Sequence, residues 1–212
     1  MNAAMGSVLR LWHEARQNAK LPNAADLANA RLHMDFANVM IDKDASTVYI
    51  SDPEMSLDVG AIAKGWAVQR VAENAPKGML ISVGGNVCAT GPKEGGAAWV
   101  VGIQNPDGGD YLHTVYVEKG CVVTSGDYQR AYAVDGKLYH HIIDPDTLMP
   151  GTYWRCVSVI FPDSGLADAL STALFLMPRT VGQMVLNQFG AQAMWVDAAG
   201  NIYYSPGFET LI

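Results

Sequence analysis

The sequence predicts an α+β fold in which mostly antiparallel sheets are flanked by helices. Three observations point there. Helix-period apolar patterns are confined to both ends and one central stretch, while 79–143 consists largely of short strand-like runs broken by Gly, Asn, Asp and Pro. The connections between those runs are too short for crossover helices, so neighbouring strands must pair antiparallel. Half of the 212 residues are apolar and only 17% are charged, enough to fill a substantial core and leaving no disordered tract. No composition shift or flexible linker interrupts the chain, so residues 1–212 are expected as a single domain.

Taken in order, Val8, Leu11, Trp12 and Ala15 recur at helical spacing, and Leu27, Ala30 and Met34 do so after a Pro22-Asn23 start signal. "VMIDKDASTVYIS" reads as a hairpin around Lys43-Asp44-Ala45. "SLDVGAIAKGWAVQRVAENA" passes from a strand end into a helix. "MLISVGG", "AWVVGIQ", "LHTVYVE", "CVVTSG" and "LYHHIID" are strands. "RCVSVIF" adds one more, followed by helices over about 164–177 and 179–189 and a closing strand pair, "QAMWVD" and "NIYYS".

A formal charge of -7 without any Lys/Arg cluster argues against nucleic acid or an anionic membrane as partner. A small anionic ligand stays open, provided that a metal ion or helix ends neutralise it. Cys88, Cys121 and Cys156 are odd in number, far apart and in no CxxC arrangement, so they are expected as small buried hydrophobes rather than a disulfide framework or zinc site. The opening "MNAAMGSVLRLWHEARQ" has no signal-peptide pattern as it stands, and no membrane span is expected.

Four stretches could carry chemistry. On the helix "SGLADALSTALFLM", Leu166, Leu170, Ala173, Leu174 and Met177 share an apolar face, and Asp168, Ser171 and Thr172 gather opposite. By itself that polar group reads first as a solvated face, or as hydroxyls bonding back to carbonyls one turn earlier. "DVGAIAKGWA" outlines a phosphate cradle without matching any nucleotide-binding spacing; Asp58 as a cap with Lys64 solvated explains it equally well. "SVGGNVCATG" needs consecutive glycines, for a tight turn or for close approach to a ligand. In "LYHHIIDPDTLMP", strand alternation would send His140 and His141 to opposite faces, and alone the pair reads first as structural.

In sequence, the blocks "LDVGAIAKGWAVQR", "SVGGNVCATG", "WVVGIQNP", "TSGDYQR", "HHIIDPDT" and "ADALSTALF" carry more than each does alone. Over about 57–177 the chain resembles the ApbE-type FAD:protein FMN transferases. The resemblance implies a T-fold-like architecture and an enzyme that moves FMN from FAD to a Ser or Thr hydroxyl of a target protein, releasing AMP. FAD hydrolysis to FMN and AMP would be a second activity of the same site.

It further implies a magnesium ion held by Asp168, Thr172 and the carbonyl of Ala61. Ser171 stands where some members have a second aspartate, which would weaken the site. Asp58, Lys64 and the backbone of Ile143 would contact FAD, and His141 would be the general base, with His140 at a more variable position. Asp144 is expected to cap the turn before Pro145. Family members usually carry a further N-terminal portion that packs on the flavin and adenine, whereas the match here starts near residue 1. A non-catalytic flavin-binding or assembly protein is the alternative. A homodimer is allowed, and many relatives are exported lipoproteins.

Overall fold

The computed structural model describes residues 2–208. In chain order its helices and strands are α1 (Gly6–Gln17), α2 (Ala24–Arg31), β1 (Val39–Asp42), β2 (Thr47–Ile50), α3 (Gly60–Asn74), β3 (Leu80–Val83), β4 (Asn86–Ala89), β5 (Trp99–Ile103), β6 (His113–Val117) and β7 (Gly120–Gly126). Then come β8 (Tyr132–Val134), β9 (Lys137–Tyr139), β10 (Cys156–Phe161), α4 (Ser164–Phe175), α5 (Arg179–Phe189), β11 (Gln192–Val196) and β12 (Ile202–Tyr204). They form two compact units, Met1–Val59 with Arg130–Pro150, and Gly60–Gln129 with Gly151–Ile212.

The first unit closes around the apolar faces that the helical spacing anticipates. Val8 and Trp12 of α1 and Leu27 and Ala30 of α2 pack with Tyr139, Ile143 and Leu148. Asn23 caps α2 by accepting from Ala25 N at 2.8 Å and Asp26 N at 3.4 Å. The Trp12 indole N–H is satisfied by the Leu148 carbonyl at 2.9 Å, as a buried indole must be. The β1–β2 hairpin turns where expected, with Asp42 Oδ1 accepting from Asp44 N and Ala45 N.

The second unit is built on a six-stranded sheet of order β12-β11-β10-β7-β4-β3, with every neighbouring pair antiparallel. Alternation along β7 sends Val122 and Thr124 to one face and Val123 and Ser125 to the other. The first face buries the β5–β6 hairpin through Val101, Ile103, Val115 and Val117. The second carries α4, whose Leu170, Leu174 and Phe175 are buried, and α3 packs on α4.

Three expectations are corrected. "LYHHIID" is strand only to Tyr139, because β9 pairs with β8 for three residues and then leaves the ladder. β4 occupies part of the segment read as a glycine turn, and β8 was not anticipated. Cys88 and Cys121 sit at directly opposed positions of β4 and β7 and form a disulfide, leaving Cys156 free and buried. A separation of 33 residues in sequence conceals that adjacency. Among the described residues no helix is long and apolar enough to cross a membrane.

Candidate active site

The second unit gathers its polar chemistry where α3 crosses α4. The helices approach closely because residue 65 is glycine: a Cβ there would come within 2.5 Å of Asp168 Cβ. That approach lets Gly65 N–H, which helical register would aim at the Ala61 carbonyl, donate to Asp168 Oδ2 at 2.8 Å. Asp168 is only 2% exposed, so its charge needs partners. The Lys64 ammonium supplies one, 3.0 Å from Asp168 Oδ1, and also donates to Asn86 Oδ1 at 3.1 Å. Lys64 is thus not the solvated side chain that a simple capped helix would present.

The hydroxyls of α4 complete the group. Ser171 Oγ donates back to the Asp168 carbonyl at 3.0 Å and lies 2.8 Å from Ser125 Oγ of β7. Ser125 Oγ is 3.3 Å from Thr172 Oγ1. Asp168 and Ser171 are therefore buried rather than solvated, with Thr172 half-buried beside them, since α4 packs against β7 on one side and α3 on another. Sequence reasoning left Asn86 without a role and did not single out Ser125. The only signals were their places in the "SVGGN" and "TSGDYQR" blocks.

Among the described residues no three His, Cys, Asp or Glu side chains gather as a metal site. The cluster nevertheless fits a hard cation of magnesium type. Its donors are all oxygens, one carboxylate suffices when water and ligand oxygens fill the remaining octahedral positions, and a carboxylate oxygen that accepts one hydrogen bond keeps a further lone pair. Ala61, half-buried in the first turn of α3, contributes a carbonyl that likewise has two lone pairs.

Beside this cluster, the Gly84–Gly85 turn joins β3 to β4 with φ of 51° and 95°, values that favour glycine. A Cβ on Gly84 would stand 3.6 Å from Lys64 Cδ, so the turn lies along the lysine stem. The same turn lines a cleft of about 700 Å³, together with Val87, Val101, Tyr111, Val122 and Tyr128.

The first unit holds the other predicted residues. His140 and His141 both follow β9 and line one crevice with Trp12, His13, Arg16 and Tyr132, so alternation does not send them to opposite faces. The reason is local: Ile142 N–H donates to His140 Nδ1 at 3.2 Å, a turn that replaces the strand ladder and makes that nitrogen the acceptor. Asp58 is half-buried, with its backbone N–H on the Ala3 carbonyl at 2.8 Å. Ile143 has its side chain in the core and its backbone in an isolated bridge to Pro150. Asp144 caps its turn as expected, accepting from Asp146 N at 2.7 Å and Thr147 N at 3.0 Å.

Comparison with known proteins gives concordant results. The ApbE family model matches residues 1–195. The FAD:protein FMN transferase of Treponema pallidum (strain Nichols) is 35% identical over 216 residues, covering 92% of this chain and 60% of its own length. That of Klebsiella pneumoniae (strain 342) is 34% identical over 195 residues, covering 88% and 60%. The crystal structure of the ApbE protein from Thermotoga maritima superposes with a TM-score of 0.91 at 33% identity, over 98% of this chain and 70% of that one. The flavin transferase ApbE from Vibrio cholerae gives 0.83 at 25% identity, over 100% and 70%. The chain spans about 60% of the length of the curated relatives it matches.

Proposed function

The chain belongs to the ApbE family, and from that premise we propose that it acts in magnesium-dependent transfer of FMN from FAD to a Ser or Thr hydroxyl of a target protein. The hydroxyl oxygen attacks the FMN phosphorus, the bond to the bridging oxygen breaks, and AMP leaves with the electron pair. With water as acceptor the products are FMN and AMP. The relatives named FAD:protein FMN transferase support the reading, and one observation carries it. A nearly fully buried carboxylate, Asp168, is gathered with the hydroxyls of Ser171 and Thr172 and one partly exposed lysine, an expensive arrangement that a purely structural helix contact does not need.

Each residue has an assigned part. Asp168, Thr172 and the Ala61 carbonyl would hold the magnesium ion, with Ser171 lending a hydroxyl where a second carboxylate would bind more tightly. The ion, when bound, supplies positive charge against the pyrophosphate. Lys64 offers an ammonium to a phosphate oxygen, while Asp58 and the backbone of Ile143 hold FAD. His141 accepts the proton of the attacking hydroxyl. Pre-set charge and positioning supply most of the acceleration.

The test is incubation with FAD, magnesium and a peptide bearing an acceptor threonine, followed by intact-mass measurement. The expected result is gain of one FMN unit by the peptide, abolished by a chelator. FAD binding with neither a mass gain nor AMP release would establish the alternative, a flavin-binding or assembly protein, to which Ser171 in place of a second carboxylate lends its weight.

A further inference from the structure

We infer that Lys64 is a displaceable counter-cation for Asp168, seated by Asn86, and that it makes binding of the divalent ion conditional on binding of the diphosphate. The inference rests on the reading of Asp168 as a magnesium ligand.

The ion pair is lopsided. Asp168 is 2% exposed and Lys64 35%, although their charged atoms are 3.0 Å apart. Lys64 can therefore swing to solvent or ligand without stranding an ammonium in the interior, whereas Asp168 cannot lose its partner without leaving a buried, unpaired carboxylate. Exchange is favourable only when another cation arrives. The Gly65 N–H on Asp168 Oδ2 stays in place throughout, because it belongs to the helix backbone.

Asn86 shows that the lysine's position is specified rather than incidental. It is fully buried, its Oδ1 accepts from Lys64, and its Nδ2 has no partner among the described residues. Turning the amide over would set N–H against ammonium, so the orientation is dictated by Lys64 even though it orphans a buried donor. A neutral amide oxygen is a weaker seat than a carboxylate. It can keep Lys64 beside the Gly84–Gly85 turn once Asp168 is taken by another cation, without competing for the charge.

The charges give the consequence. Asp168 and Lys64 together are neutral. A divalent ion added on Asp168, with Lys64 retained on Asn86, leaves two positive charges within a few ångströms, a repulsion that opposes binding of the metal alone. The diphosphate of FAD brings two negative charges, and that of ADP about three, and either removes that opposition. Metal and diphosphate must then strengthen each other's binding by one reciprocal factor, and Lys64 is the origin of much of it.

The experiment is calorimetry on the 212-residue chain with magnesium alone, ADP alone and each in the presence of the other, for the parent and Lys64→Gln. The glutamine keeps a hydrogen-bond donor toward Asp168 but no charge. In the parent, ADP is expected to tighten magnesium by about tenfold or more. In Lys64→Gln, magnesium alone should bind about tenfold tighter than in the parent, and the effect of ADP should shrink to about twofold. A lysine with only a structural role would lower magnesium affinity or leave it unchanged.

Melting with magnesium and with chelator covers a weakly folded variant, since Lys64→Gln should gain more from magnesium than the parent does. Unchanged magnesium affinity in Lys64→Gln, with ADP coupling intact in both proteins, overturns the inference and leaves the magnesium reading standing. No magnesium uptake by the parent, with or without ADP, overturns both.

Discussion

The two units carry their chemistry in different ways. In the second, Asp168, Ser171 and Ser125 sit on α4 and β7, every polar atom of the carboxylate has a donor, and Gly65 draws two helices together so that this can happen. In the first, His140 and His141 lie on an irregular segment between a three-residue strand and a capped turn. A group embedded in packed elements contributes to stability as well as to charge, so the two roles cannot be separated by mutation. A group on a short connection between elements belongs to the kind of segment that most often carries function on a rigid scaffold.

The sharpest way to break this contrast is Asp168→Ala. Transfer should fall to background. Unlike an exposed helix residue, Asp168 should also take stability with it, roughly 2–4 kcal/mol, because Gly65 N–H and Lys64 lose their acceptor. Chemical denaturation measures this, and a variant as stable as the parent would show that the carboxylate is not part of the helix contact.

The histidines should divide the two effects that Asp168 combines. His141→Ala is expected to slow transfer by about two to four orders of magnitude, the usual share of a positioned base, with little change in melting. His140→Ala should leave the rate nearly intact and cost about 1 kcal/mol, as the Ile142 N–H loses its acceptor. Equal rate losses at the two positions would mean that the segment acts as a structural whole.

The smallest effects concern pH, and they separate the units by direction. Burial, and then the Asp127 charge, push the Cys156 thiol up to about 12, so the folded second unit holds a proton that the unfolded chain releases at lower pH. The stability that depends on it is complete below the usual thiol range and declines as pH rises toward that value. In the first unit the His33 hydrogen bond holds the Asp52 carboxyl below its usual range. The associated stability is present above that range and is lost as pH falls through the lowered value. Thermal melts of Cys156→Ala and Asp52→Asn across pH should flatten the alkaline and the acid limb respectively; a change on the same limb for both would remove the distinction.

Much of the fold was legible because local rules and tertiary packing agree. The i, i+3, i+4 spacing of Val8, Trp12, Leu27 and Ala30 marks faces that do become core, and Asn23 and Asp144 cap the segments that their side-chain chemistry suits. The antiparallel class followed from connection length alone, and the ordered blocks from Leu57 to Met177 were enough to suggest the family whose model matches residues 1–195. Where β9 ends was not legible, because the His140 side chain offers Ile142 an alternative to the ladder that alternation cannot foresee.

What the sequence determined by itself was therefore the kind of each element, its apolar face, and the set of residue types available for chemistry. Tertiary structure decided which of them meet. Whether Asp168 points to water or into a helix contact depends on Gly65, 103 residues away in the chain. Whether Cys88 is a buried hydrophobe or half of a disulfide depends on β7 pairing with β4. Hydrogen bonds, ion pairs and disulfides act over a few ångströms, whereas sequence patterns report only the environment that a segment prefers; the partner is set by how the elements stack.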